Sequence, residues 1–207
     1  MEIKHVFALP VFVDKAEGNE YTDLQKELTT MKSKLNFNDT GMNMILNENP
    51  YESNFLIEHE CLHSLNFINK SVAKFITSLY GENKFDRLMI IESWMTRTIK
   101  GRCAREHCHG AADISGVYYL DTNSKDGNLV FTNPNSNLLC NKLLEDLVSK
   151  DIELPLENGL IALWPAQLKH RTSVNETDHE RVSVSFNITL GKKGCGIPPL
   201  TTSLVNN

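Results

Sequence analysis

His107-Cys108-His109 places two histidines one residue apart, just ahead of an apolar, strand-like run, Ser115-Gly116-Val117-Tyr118-Tyr119-Leu120. In an extended chain successive side chains alternate sides, so His107 and His109 share a side and Cys108 takes the other. Cys108 is therefore a poor ligand candidate. Two imidazoles on one side form a nitrogen donor pair suited to iron, zinc, copper or nickel, although surface histidines at a strand end show the same spacing. His170 and Arg181, farther along the chain in a β-rich context, strengthen the first reading. A guanidinium in a pocket can hold a carboxylate through two parallel hydrogen bonds.

A second motif competes. His59-Glu60-Cys61-Leu62-His63 satisfies HExxH, and Glu82 lies where one class of zinc peptidase has its third ligand. That chemistry needs both histidines one turn apart on a single helix, with the glutamate activating water. Gly81, a helix-stopping residue, comes before Glu82 and weakens the match. The plainer reading is a partly exposed helix or loop ahead of the strands.

These residues need elements to hold them. Tyr21–Leu35 carries Leu24, Leu28, Met31 and Leu35 at helical spacing, and Ile68–Gly81 carries Ile68, Val72, Phe75, Ile76 and Leu79 on one face. Ahead of them, Ile3–Val13 reads as a short strand interrupted by Pro10. After Gly81 the period falls to two. Short β-rich runs at 85–101, 115–120, 127–134, 159–165 and 181–190 are separated by turn signals that include Asp126-Gly127 and Asn158-Gly159. Leu138–Lys150 reads as a loop or short helix, and the tail from Gly191 has no period. The expected fold is mostly β: a jelly roll with the N-terminal helices packed on one face. A single domain spans 1–207, with strand and helices over 1–84, the barrel over 85–190 and a tail over 191–207.

The run Arg181–Leu190 bears directly on function. Val182, Val184, Phe186, Ile188 and Leu190 share one face; Arg181, Ser183, Ser185, Asn187 and Thr189 share the other. Ordinarily the polar row would face water. In a jelly roll holding a polar cofactor, the apolar row packs on external helices and the polar row lines the pocket.

Composition narrows the classes further. The 21 Lys and Arg against 26 Asp and Glu give a net charge of −5 without blocks of like charge, so there is no nucleic-acid or anionic-membrane footprint. No apolar run approaches the ~20 residues of a membrane span and no signal peptide is recognisable, so a soluble, cytoplasmic protein is expected. Five cysteines without CxxC spacing point to reduced thiols rather than a disulfide framework or structural zinc.

The run from about Trp94 to Ile188 resembles the double-stranded β-helix core of the Fe(II)/2-oxoglutarate-dependent oxygenases, in particular their small bacterial and viral subfamily. The matching pieces are ESWMTRTIKG, HCHGAADISGVYYL, GNLVFTNP, NGLIALWPAQLKH and ERVSVSFNI, in order. The resemblance implies that His107 and His170 bind Fe(II) and that Arg181 binds the distal carboxylate of 2-oxoglutarate, with Ser183 assisting. Tyr119 is either a further co-substrate contact or a core tyrosine, and Asn187 lines the pocket. Most members carry Asp or Glu where this chain has His109; His109 or Asp113 completes the triad, with Asp113 otherwise a turn residue. The implied chemistry consumes O2 and 2-oxoglutarate, releases succinate and CO2, and hydroxylates an unidentified small molecule or side chain. A zinc peptidase using HECLH and a non-catalytic cupin-like binding protein are the alternatives.

Overall fold

The computed structural model describes residues 9–39, 45–47, 54–82, 85–135, 142 and 149–192. Strand β1 (Phe12–Lys15) precedes helix α1 (Gly18–Lys34), followed by β2 (Phe37–Asp39), β3 (Ile45–Asn47), α2 (Phe55–Glu58) and α3 (Leu62–Tyr80). Seven further strands follow: β4 (Phe85–Thr98), β5 (Ile114–Asp121), β6 (Leu129–Thr132), β7 (Asp151–Leu154), β8 (Leu160–Pro165), β9 (His170–Thr172) and β10 (Arg181–Lys192). They form a seven-stranded sheet, β1-β8-β5-β10-β4-β3-β2, and a three-stranded sheet, β7-β6-β9, with antiparallel pairing throughout.

Both expected helices form. Leu24, Leu28 and Met31 of α1 and Ile68, Val72, Phe75 and Ile76 of α3 are buried. They pack against Val182, Val184, Phe186 and Ile188 of β10 in one apolar cluster. Full burial contributes about 1.5–3 kcal/mol for each such side chain. This outweighs any advantage of turning the apolar row elsewhere, so the helices decide which way β10 faces. Its polar row is thereby directed to the opposite side. There a second cluster, including Val117, Tyr119, Leu129, Phe131, Leu156, Leu160 and Trp164, fills the space between the two sheets.

Several boundaries differ from the sequence reading. The first strand is Phe12–Lys15 rather than a run from Ile3, of which residues 3–8 lie outside the described part. Helix α3 begins six residues earlier than its period suggested. Leu79, expected on its apolar face, is 48% exposed, because the packed stripe ends with Ile76. Gly81 stops the helix as expected, with φ 75° and its N–H donating to the Thr77 carbonyl. Strands β2, β3, β7 and β9 are too short to show a period and went unanticipated. Asp126-Gly127 turns the chain between the two sheets instead of closing a two-residue hairpin, with Gly127 at φ 101°. Most of Leu138–Lys150, with Cys140, and the tail from Lys193, with Cys195, lie outside the described residues; β10 itself runs on through Gly191 and Lys192. Among the described residues no helix is long and apolar enough to cross a membrane.

Candidate metal centre

The two parts of the histidine set are joined by backbone. His107 and His170 form an isolated antiparallel bridge, each N–H donating to the other's carbonyl at 3.0 Å. His109 is tied in by its N–H donating to the Ala166 carbonyl at 2.8 Å. Ring centroids are consequently 4.4 Å apart for His107 and His170, 4.9 Å for His107 and His109, and 5.3 Å for His109 and His170. One nitrogen from each ring lies within 4.8 Å of the other two, close enough to share one ion. Among the described residues this is the one group of three or more His, Cys, Asp or Glu so arranged.

The electrostatics suit a cation that needs neutral imidazoles. Burial, reinforced by the neighbouring histidines, pushes the His170 pKa down to about 3, and burial with His107 nearby pushes that of His109 to about 4. Both rings are free bases at neutral pH, ready to donate a lone pair. The Nδ1 atoms of His107 and His170 lie 2.7 Å and 2.9 Å from the Arg105 and Leu168 carbonyl oxygens. A carbonyl only accepts, so these two rings carry their proton on Nδ1 and leave Nε2 free. Asp113 is not part of the group; its carboxylate accepts from the Leu190 N–H at 2.7 Å and serves the strand end. Cys108 is exposed, as its alternation implied.

A single pocket runs from the three histidines to Arg181, and Tyr119, Ser183 and Asn187 also line it. The polar row of β10 thus lines the pocket, apart from Thr189. Arg181 is 2% exposed, and its Nη1 donates to the Asp126 carbonyl at 2.6 Å while its Nε has no partner. Among the described residues no carboxylate pairs with this guanidinium. A buried cation in that state is costly unless an anion arrives. Trp164, whose ring centroid is 4.7 Å from that of His170, also has an unpartnered Nε1–H in the pocket wall. Tyr119 is almost fully buried, and burial raises its phenol to about 12, so it stays protonated. These features fit a chelating metal site with an anion seat at its other end.

Sequence reasoning missed the adjoining wall on β4. Trp94, Thr96 and Thr98 of β4 line the pocket because they pair with Ser185, Ser183 and Arg181 across the sheet. Their period-two spacing, continued by Glu92, was the available signal. The competing motif, by contrast, is broken by the fold. His59 ends α2, Glu60 takes φ 50° in the turn, and Leu62 begins α3. His59 and His63 therefore do not share a helix face. The zinc-peptidase alternative is corrected on that ground: the backbone turns between the two would-be ligands.

Residues 92–187 match the family model described as Putative 2OG-Fe(II) oxygenase. No curated protein matches significantly. Among solved structures, HygX from Streptomyces hygroscopicus with nickel and 2-oxoglutarate bound aligns with TM-score 0.60 at 13% identity, over 90% of this chain and 84% of that one. The non-heme alpha ketoglutarate dependent epimerase SnoN from nogalamycin biosynthesis gives 0.60 at 14%, over 96% and 88%. A Pseudomonas putida prolyl-4-hydroxylase gives 0.55 at 11%, over 89% and 94%. At such identities the likeness carries the fold, a double-stranded β-helix.

Proposed function

We propose that the chain, whose residues 92–187 match the 2OG-Fe(II) oxygenase family model, is an oxygenase of that family, that His107, His109 and His170 are its iron ligands, and that Arg181, assisted by Ser183 and Tyr119, binds 2-oxoglutarate. The observation that carries this reading is one pocket with three convergent imidazoles at one end and a buried, carboxylate-free guanidinium at the other. A ligand that chelates a metal and ends in a carboxylate satisfies both ends at once. Bound iron, O2 and 2-oxoglutarate supply the oxidation, which releases succinate and CO2 and hydroxylates the substrate.

The chain's own part is to bind, orient and exclude. His107 and His170 are held by their mutual backbone bridge and by carbonyl acceptors at Nδ1. Arg181 offers a preset fork for a carboxylate, which a lysine cannot reproduce. Trp164 and the two-sheet core keep water from the inner side of the pocket. With three neutral ligands in place of two and a carboxylate, the bound ion keeps more positive charge, which strengthens its hold on anionic co-ligands.

The substrate proposed is a small molecule. HygX is recorded with hygromycin B bound, and SnoN with nogalamycin RO, on the same fold. We take the whole chain to work as one domain, because α1 and α3 share a core with the barrel strands. We also place it in the reducing cytoplasm, where ferrous iron persists and the free thiols of Cys61, Cys103 and Cys108 stay reduced. The test is anaerobic loading with Fe(II), followed by an assay for 2-oxoglutarate-dependent succinate release with and without candidate substrates. Succinate that depends on iron is the expected result. A protein that binds the ion and 2-oxoglutarate without turnover would instead be a cupin-like binder.

A further inference from the structure

The three histidines do not meet the centre on equal terms. Those at 107 and 170 face carbonyl oxygens with Nδ1, whereas Nδ1 of His109 lies 3.2 Å from the side-chain amide nitrogen of Asn187. The orientation of that amide is decided by its other partners. The same nitrogen donates to Oε2 of Glu92 at 2.6 Å, and the amide oxygen accepts from the Ser115 hydroxyl at 2.8 Å. The hydroxyl can turn to suit either orientation, but Glu92 cannot. Reversing the amide would set its oxygen against a carboxylate oxygen at hydrogen-bonding distance, with no proton between them.

Strand pairing holds the arrangement. Asn187 on β10 stands directly across from Glu92 on β4 and from Ser115 on β5, and it is 2% exposed. His109 Nδ1 therefore meets a donor and must accept, which puts the proton on Nε2. That is the nitrogen the other two rings leave free for a metal.

We propose that Glu92 and Asn187 are positioning residues that hold His109 in its Nε2–H tautomer, making it a withheld third ligand that joins the ion only when the Asn187 amide reverses. This rests on reading the three histidines as the metal site. The position where the family usually has a carboxylate ligand is then occupied by a conditional one, and the nearby carboxylate, Glu92, acts through an amide rather than on the ion. Reversal breaks the bond between Asn187 and Glu92. Glu92→Gln removes that obstacle, because a glutamine can donate to the reversed amide oxygen.

Two measurements test the proposal. Long-range 1H–15N spectra of the metal-free wild-type protein should show His107 and His170 protonated at Nδ1 and His109 at Nε2. Co(II) titration should then show Glu92→Gln binding about tenfold more tightly than wild type, at the lower end of what residues behind metal ligands typically change. A residue that merely supports the fold would give no such gain. One tautomer for all three rings, or a Glu92→Gln affinity that is unchanged or weaker, overturns the proposal while leaving the metal site standing. A wild-type protein that binds no Co(II) overturns the metal reading and the proposal with it.

Discussion

Two regions of this chain carry closely spaced histidines, and they differ in what the backbone does with them. At 59–63 the residue types of a metal motif are present in the right order, but the chain turns between α2 and α3, with Glu60 at φ 50°. At 107–109 the motif is poorer, yet His107 is bridged to His170, 63 residues on (170 − 107), and the three rings converge. A ligand set is a property of convergence more than of spacing. The second region also has its electrostatics arranged, with the His109 and His170 imidazoles held neutral and a carboxylate-free guanidinium in the same pocket.

The contrast is broken most directly by removing a bridged histidine. His107→Ala or His170→Ala should abolish Fe(II) or Co(II) binding, whereas His109→Ala should leave weakened binding, as measured by metal titration. Equal loss in all three variants would make His109 an ordinary ligand. At the other end of the pocket, Arg181→Lys should retain the ion but weaken 2-oxoglutarate binding at least about tenfold, since truncating one partner of a desolvated charge pair typically costs ~2–5 kcal/mol. Anaerobic calorimetry reads this, and an unchanged affinity would move the anion seat elsewhere.

A smaller effect is expected from acid. The folded His170 pKa, near 3, lies below the ordinary 6.5, so the unfolded chain takes up a proton that the fold refuses. Its contribution to stability is complete above pH 6.5 and is lost as the pH falls toward 3. For the metal-free protein, the unfolding free energy from urea titrations should drop between pH 6.5 and 5 by on the order of 1 kcal/mol per pH unit, and less steeply in His170→Gln. Parallel profiles would show that the ring is not held neutral. The smallest effect belongs to the first region. Glu60→Gln and His63→Ala should leave metal content and turnover as in wild type and change stability by about 0.5 kcal/mol or less. Metal loss in His63→Ala would restore the rival motif.

Much of this was legible before the fold was known. The helical spacing of Leu24, Leu28 and Met31 and the alternation of Val182–Leu190 follow from local geometry, which repeats every 3.6 or 2 residues whatever the rest of the chain does. The short strands β2, β3, β7 and β9 were not legible, because three or four residues cannot show a period. The pocket wall on β4 was legible only in hindsight. Thr96 and Trp94 gain meaning from the β10 residues they face, and pairing register is a contact between distant segments.

By itself the sequence determined which residues share a side: His107 with His109, and Arg181 with Ser183, Ser185 and Asn187. That follows from the covalent chain, since neighbouring side chains in an extended backbone must point opposite ways. Only the tertiary structure decided which side is which. Helices α1 and α3 claim the apolar row of β10 and turn the polar row inward. Only it, too, brought His170 beside His107 and Glu92 beside Asn187, because those pairings are hydrogen bonds across strands whose register no local pattern specifies.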